Sequence, residues 1–374
     1  MRKPTVDSLR AAFEPAAPLT VGVEEELMLL DARSLDLAPR AAEVVAAAGD
    51  PRFTLELPAS QVEIVLPPLP DAASAARALR AARRDLAAVC EPLGLRLAGA
   101  GAHAFAAPLG QLNRGERYER ILREFGDVAR SQLVFALQVH VCVRPADRAM
   151  RVYNELRAWL PLVAALAANA PLHEGRDTGL ASVRPAISER LPRQGMPPAL
   201  TWETYAAALG ALDDPAQWWW ELRPHPRFGT LEVRVPDTQA TVEEAAAIVA
   251  VVHALVATLA DGGAPPGVAA PPGVAAPPGA AAPPGAAAPL AGGPLAADRA
   301  LAMRHGASGP LVPRLHAMLD AVEPAAGRLG ASAHLEVARG MVKRGGGAAL
   351  QRAAFRRGGA RRAVEELADR FLAD

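Results

Sequence analysis

The sequence predicts an α+β domain built on an antiparallel sheet, and three observations carry that expectation. Strand-like stretches with alternating apolar and polar residues are interspersed with helical stretches. The span Glu221–Pro236 reads as two strands turning at Pro224-His-Pro-Arg-Phe-Gly229, a hairpin rather than a parallel crossover. Thr241-Val-Glu-Glu244 is a capping box that opens a helix apolar on every side, which must be buried.

In chain order, residues 1–18 are polar and proline-punctuated and are expected to form a flexible arm. The main α+β domain is expected over 19–261. It begins with strand patterns at Val21–Leu30 and Phe53–Leu66 that flank an alanine-rich helical piece around Pro39–Ala48. Asp71–Leu86 has helical spacing, with Leu79 and Leu86 on one face and Arg77, Arg80, Arg83 and Arg84 expected on a solvated one. Leu95–Ala100 reads as a strand entering the loop through His103, Tyr118–Phe125 as a short helix, and Leu137–Val143 as a strand. Met150–Ala168 is expected as one helix. The polar loop from Asn169 to Pro198 is long enough to imply function. Residues 262–294 are an Ala/Pro/Gly repeat that cannot bury a core and are expected to be a linker. Residues 295–374 read as two or three arginine-rich helices packing on the main domain, with their arginines on a solvated face.

Composition narrows the chemistry. Lys+Arg and Asp+Glu balance at 40 each, so no basic field points to nucleic acid. Lysine is confined to Lys3 and Lys343, which leaves no P-loop or Schiff-base lysine in the body of the chain. Phosphate binding would rest on arginine, metal and backbone amides. Cys90 and Cys142 give no disulfide framework, the N-terminus has no signal-peptide pattern, and the apolar run Ala245–Ala260 is short for a membrane span. A cytoplasmic protein without a membrane partner is the expectation. Nothing decides between a monomer and a homo-oligomer.

The chemically informative pattern is an acid-lined strand face. Side chains alternate faces along a strand, so residues two apart share one. Glu24 and Glu26 therefore point together, as do Gln138 and His140, and Glu232 and Arg234. Val23, Leu27, Val139, Val141, Leu231 and Val233 point the other way, into a core. Glu25 also falls on that side, where a solvated residue and a salt-bridge partner both fit. With Glu56 and Glu63 the acid face offers five carboxylates, a hard oxygen donor set suited to Mg²⁺, and His140 is acceptable to Mn²⁺. So many anions repel one another unless cations sit between them, which argues for more than one metal. Arg223 and Arg234 would hold a phosphoryl group if ATP were bound. His103 reads as a structural or solvated loop histidine, and Trp218–Trp220 as packing beside the hairpin.

These motifs resemble the type-2 glutamate–cysteine ligase family, also called carboxylate–amine ligases. The resemblance rests on Thr20-Val-Gly-Val-Glu-Glu-Glu26, the Glu56/Glu63 pair, Gln138-Val-His-Val, and above all Leu222-Arg-Pro-His-Pro-Arg-Phe-Gly-Thr-Leu-Glu-Val-Arg-Val-Pro-Asp237. Asn113-Arg-Gly-Glu-Arg-Tyr118, Asp177-Thr-Gly-Leu-Ala-Ser-Val-Arg-Pro185 and Arg304-His-Gly306 follow in the expected order. The resemblance implies a glutamine-synthetase-like fold, a curved antiparallel sheet that holds ATP and two or three metals. It implies Glu24, Glu26, Glu56, Glu63, His140 and Glu232 as metal ligands. Glu232, Arg234 and Arg223 would carry the chemistry; Arg223, Arg234 and Arg184 would bind nucleotide phosphate or a substrate carboxylate. The implied reaction phosphorylates glutamate or a similar acid, and cysteine or another amine then attacks. The family's His-Val-His-Val-Gly run is Gln138-Val-His-Val-Cys142 here, and Val183 stands where serine is usual. The expectation is therefore a weak glutamate–cysteine ligase. A phosphotransferase of the same fold and a catalytically impaired ATP/metal binder remain open beside it.

Overall fold

The structure, a computed structural model, describes residues 4–212, 218–263 and 294–373. The expected linker over 262–294 falls almost wholly outside the described residues. Seven strands form one antiparallel sheet: β1 (Val21–Asp31), β2 (Phe53–Leu55), β3 (Gln61–Val65), β4 (Leu95–Ala98), β5 (Leu137–Cys142), β6 (Leu222–His225) and β7 (Thr230–Val233). Their order is β6-β7-β5-β1-β3-β2, and β4 pairs the far end of β1 on the edge it shares with β5. The β6–β7 hairpin turns where the sequence places it.

One face of the sheet is apolar because alternate residues are. Val21, Val23, Leu27 and Leu29 of β1, Val62 and Ile64 of β3, Val139 and Val141 of β5, and Leu231 and Val233 of β7 are all buried in one core. Each such side chain contributes about 1.5–3 kcal/mol relative to exposure. The helices Ala72–Cys90, Ala146–Leu156 and Val242–Ala260 pack on this face. The Val242–Ala260 helix starts at the capping box as read: Glu244 N–H donates to Thr241 Oγ1 at 3.2 Å and Thr241 N–H to Glu244 Oε2 at 3.3 Å. Among the described residues it is the one helix long and apolar enough to cross a membrane, and 89% of its apolar window is buried within the protein.

The opposite face is split. Met28 and Leu30 of β1 pack against Ala354, Val364 and Leu367 of the Gly346–Arg370 helix, which bends at Gly358 and Gly359. The other half of the same strand face carries Glu24 and Glu26, and Glu26 lines a cleft.

Several expectations need correcting. The polar arm contains a capped helix, Val6–Ala11, and its Leu9 and Phe13 are buried in the main core. Gly229 in the β6–β7 turn has φ +62°, and a Cβ there would strike the Ala12 carbonyl, so the arm sits against the hairpin. The single helix expected over Met150–Ala168 is two, Ala146–Leu156 and Leu160–Ala167, joined by a 3₁₀ turn; Pro161 lacks the N–H that a continuous helix would use. The strand expected over Phe53–Leu66 is interrupted by a turn at residues 56–60, with Pro58 inside it. Arg83, expected in solvent, is fully buried, and its partner is Glu25. The C-terminal segment carries four helices, Pro294–His305, Val312–Arg328, Ser332–Arg344 and Gly346–Arg370. Its arginines are not all solvated either: Arg344 and Arg370 each donate to the buried Glu244 at 2.7 Å.

Candidate active site

Strand register assembles the acid face. Glu26 lies directly opposite Glu63, Glu24 opposite Gln138, and His140 opposite both Gly22 and Glu232. Gly22 leaves the room His140 needs, since a Cβ there would come within 3.3 Å of the histidine Cβ.

Two groups of side chains result. In the first, ligating atoms of Glu24, His140 and Glu232 all lie within 4.8 Å of one another. His140 Nδ1 is 3.0 Å from Thr230 Oγ1, which orients the ring. Its buried Nε2 makes no hydrogen bond and stands 3.3 Å from Glu24 Oε1. An orphaned buried imidazole nitrogen between two carboxylates matches a divalent cation's needs. Arg223 reaches Glu232 through Nε at 2.5 Å and Nη2 at 3.1 Å, and Arg234 Nη1 also donates to Glu232 Oε1. Burial opposes charge on Glu232 most strongly, yet Arg223, Arg234 and His140 hold it well below the usual carboxylate range. Burial likewise pushes Glu24 upward, and His140 and Arg234 outweigh it.

The second group is Glu26, Glu63 and Glu56. Glu26 accepts from the Ala136 N–H at 2.6 Å and from Gln138 Nε2 at 3.0 Å. Burial, then the Glu56 charge, pushes Glu26 up to about 7. Burial, then the charges of Glu56, Glu24 and Glu26, raises Glu63 well above its ordinary range, although Thr54 Oγ1 donates to it at 2.9 Å. Across both groups, five carboxylates face three guanidiniums, Arg223 and Arg234 at Glu232 and Arg117 at Glu56, so the carboxylates outnumber the arginines paired with them.

Glu56 is not on a strand, as expected, but in the turn before β3. The motif Asn113–Tyr118 holds that turn: Asn113 Nδ2 donates to the carbonyls of Glu56 at 2.7 Å and Pro58 at 3.2 Å, and Tyr118 O–H to Leu55 O at 2.9 Å. Arg117 stands 3.9 Å from the Glu56 carboxylate.

A cleft open to solvent is lined by Glu26, Glu56, Arg184 and Arg234, so it borders the second group directly and the first through Arg234, which donates to Glu232. Arg184 is tied down there: Nε donates to Asp237 Oδ1 at 2.7 Å and Nη2 to the Val235 carbonyl at 2.5 Å. Those bonds fix Arg184, the first residue of the short helix Arg184–Ser188, at the cleft. The far wall holds residues the sequence reading missed. Arg299 of the Pro294–His305 helix pairs with Glu189 at 2.8 Å and with Glu221 at 2.6 Å, beside Trp219. Parity was the available signal for two of them, because Trp219, Glu221 and Arg223 alternate on one side. Trp218 and Trp220 do pack in the core, edge to face at 4.1 Å.

An acid-lined antiparallel sheet with arginines over a cleft defines, with the kinships below, a carboxylate–amine ligase, an enzyme that forms carbon–nitrogen bonds. The chain belongs to glutamate–cysteine ligase family 2, whose sequence profile matches residues 20–369. A Rubrobacter xylanophilus protein assigned the name glutamate–cysteine ligase 2-3 is 40% identical over 262 residues, 67% of this chain and 72% of its own. A Salinispora arenicola protein assigned as glutamate–cysteine ligase 2 is 37% identical over 270 residues, covering 67% and 70%. Among solved structures, a Francisella tularensis glutamate–cysteine ligase in complex with AMP matches with TM-score 0.66 and 11% identity, over 96% of this chain and 89% of that one. A bifunctional glutathione synthetase from Pasteurella multocida matches with TM-score 0.65 and 12% identity, over 98% of this chain and 53% of that one. At those identities the likeness establishes the fold. It is the fold the resemblance implied, with helices layered on the sheet's apolar face.

Proposed function

We propose that the chain uses ATP and Mg²⁺, or Mn²⁺, to activate the side-chain carboxylate of glutamate or a similar acid and join it to cysteine or another amine. The observation that carries this reading is the Glu24–His140–Glu232 trio, with its unbonded His140 Nε2, set beside Arg234 at the edge of the cleft. A bound cation would supply positive charge to offset that of the phosphates. Glu24, His140 and Glu232 would hold one, and Glu26, Glu63 and Glu56 another. Nucleotide use is supported by the shared fold of the Francisella tularensis ligase, which was solved with AMP.

The chain's own groups fit the two chemical stages. Arg234 is fixed at one edge of its guanidinium by Glu232 and Gln138 and lines the cleft, where its charge would stabilise a phosphoryl group in transfer. In the first stage the acid's carboxylate oxygen takes the terminal phosphoryl group and ADP leaves. In the second the amine nitrogen attacks the acyl carbon, the bond to phosphate breaks, and the nitrogen gives up a proton. With two arginines paired to Glu232, the site keeps cationic charge near the phosphate without lysine.

The test is ADP release by the full chain with ATP, Mg²⁺, glutamate and a panel of amines that includes cysteine, with products identified by mass. Amine-dependent ADP release with an amide product is expected. A stable phosphorylated acid without an amide would move the protein to the phosphotransferases; no ADP release with any pairing would defeat the reading.

A further inference from the structure

The two acid groups are joined by one neutral side chain. Gln138, in β5, is 2% exposed and stands where the family resemblance places a histidine. Its Nε2 donates to Glu26 Oε1 at 3.0 Å, and its Oε1 accepts from Arg234 Nη1. The same Arg234 nitrogen donates to Glu232 Oε1. The line Glu26–Gln138–Arg234–Glu232 thus runs from one acid group to the other.

The chemistry of the ends fixes the amide. A guanidinium only donates, so it requires the amide oxygen, and the amide nitrogen is left to donate to Glu26. A flip would set NH₂ against the guanidinium, two donors facing each other, and break the bond to Arg234. Glu26 Oε2 is meanwhile held by the Ala136 N–H, two residues before Gln138 on the same chain segment. One segment therefore sets both oxygens of Glu26 and, through the amide oxygen, the position of Arg234.

We propose that Gln138 is a positioning residue: its amide bridges Glu26 to Arg234 and holds the guanidinium at the cleft for the phosphoryl group. The bridge is bipolar and uncharged, so it links a carboxylate to an arginine without adding charge between the two cation-binding groups. This inference rests on the ligase reading above and deepens it, giving the amide of Gln138 a role of its own.

The test compares Gln138→Met, Gln138→His and the parent chain by steady-state kinetics and by Mn²⁺ titration calorimetry. Methionine keeps length and volume and removes both hydrogen bonds. A neutral imidazole can donate at one nitrogen and accept at the other. The bridge predicts that Gln138→Met lowers kcat by about ten- to hundredfold, with KM for ATP changed by less than about threefold. It predicts that Gln138→His recovers most of the loss. A packing role predicts the reverse order, because methionine fills the site and histidine does not. In the titration, Gln138→Met is expected to weaken one class of Mn²⁺ sites, the one containing Glu26, and to leave the other, which also reports that the variant is folded. Unchanged kcat in Gln138→Met, or histidine worse than methionine, overturns the proposal. If the parent chain releases no ADP, the ligase reading has failed, and the titration alone decides: an unchanged Mn²⁺ isotherm in Gln138→Met overturns the bridge, and selective weakening supports it.

Discussion

Arg83 and Glu25 are both wholly buried and face each other through two hydrogen bonds, 2.9 Å from Nε and 2.6 Å from Nη2. The remaining Arg83 donors reach the carbonyls of Ala240, Phe371 and Gln239. The pair ties the central strand to the helix layer and to the last helical segment. Removing one partner leaves an uncompensated buried charge, which costs about 3–5 kcal/mol. Arg83→Met is therefore expected to lower unfolding free energy by about that amount in urea, and Arg83→Met with Glu25→Gln by clearly less. Equal losses in the single and double variants would contradict the pairing.

Glu26 and Glu63 link cation binding to pH. Folding raises Glu26 from 4.5 to about 7 and raises Glu63 well above 4.5, so the folded chain binds protons that the unfolded chain releases. Their contribution to stability is present below the unfolded value and is lost as pH rises through the folded one. A cation replaces those protons, so the gain in Tm on adding Mn²⁺ is expected to grow between pH 5 and about pH 8. Differential scanning fluorimetry with and without Mn²⁺ reads this directly. A gain that shrinks with pH would count against a cation at these acids.

His140→Ala removes the only imidazole of the trio. Loss of a direct ligand is expected to lower Mn²⁺ affinity by at least about tenfold, since losing only a hydrogen-bond partner of a ligand already costs that much. Thr230→Val, which removes the hydroxyl beside Nδ1, should produce a smaller drop in the same titration. Equal affinity in His140→Ala and the parent would place the cation elsewhere.

Arg299→Ala tests whether the C-terminal helices belong to the cleft. The change leaves Glu221 and Glu189 unpaired on the cleft wall, and Glu221 is largely buried. A stability loss of about 1–3 kcal/mol is expected, together with a rise in KM for acid or amine. Unchanged KM for both would make Arg299 a purely structural tie.

The acid floor was legible because strand geometry has a period of two. Glu24, Glu26, Glu63, His140, Glu232 and Arg234 share the expected face once their segments are strands. Glu56 was misplaced because alternation does not reveal the turn around Pro58, and its position depends on Asn113 and Tyr118, which lie more than fifty residues away. Arg83 carried a readable clue: it lies four residues after Leu79 and three before Leu86, on the apolar stripe of its helix. Arg299 had no such clue, because its partners lie in separate segments brought together only by the fold.

The divided face of β1 has one more consequence. Along a single run of alternate residues, Glu24 joins the His140–Glu232 trio and Glu26 lines the cleft, while Met28 and Leu30 pack on the Gly346–Arg370 helix. A one-residue slip in pairing would turn the acids into the aliphatic core and bring Val23 and Leu27 out. Buried there without partners, two carboxylates would cost far more than the slip could regain. The residues proposed to grip cations thus also act as proofreaders of strand alignment, and a chain that pairs its sheet wrongly is rejected by its own acid floor.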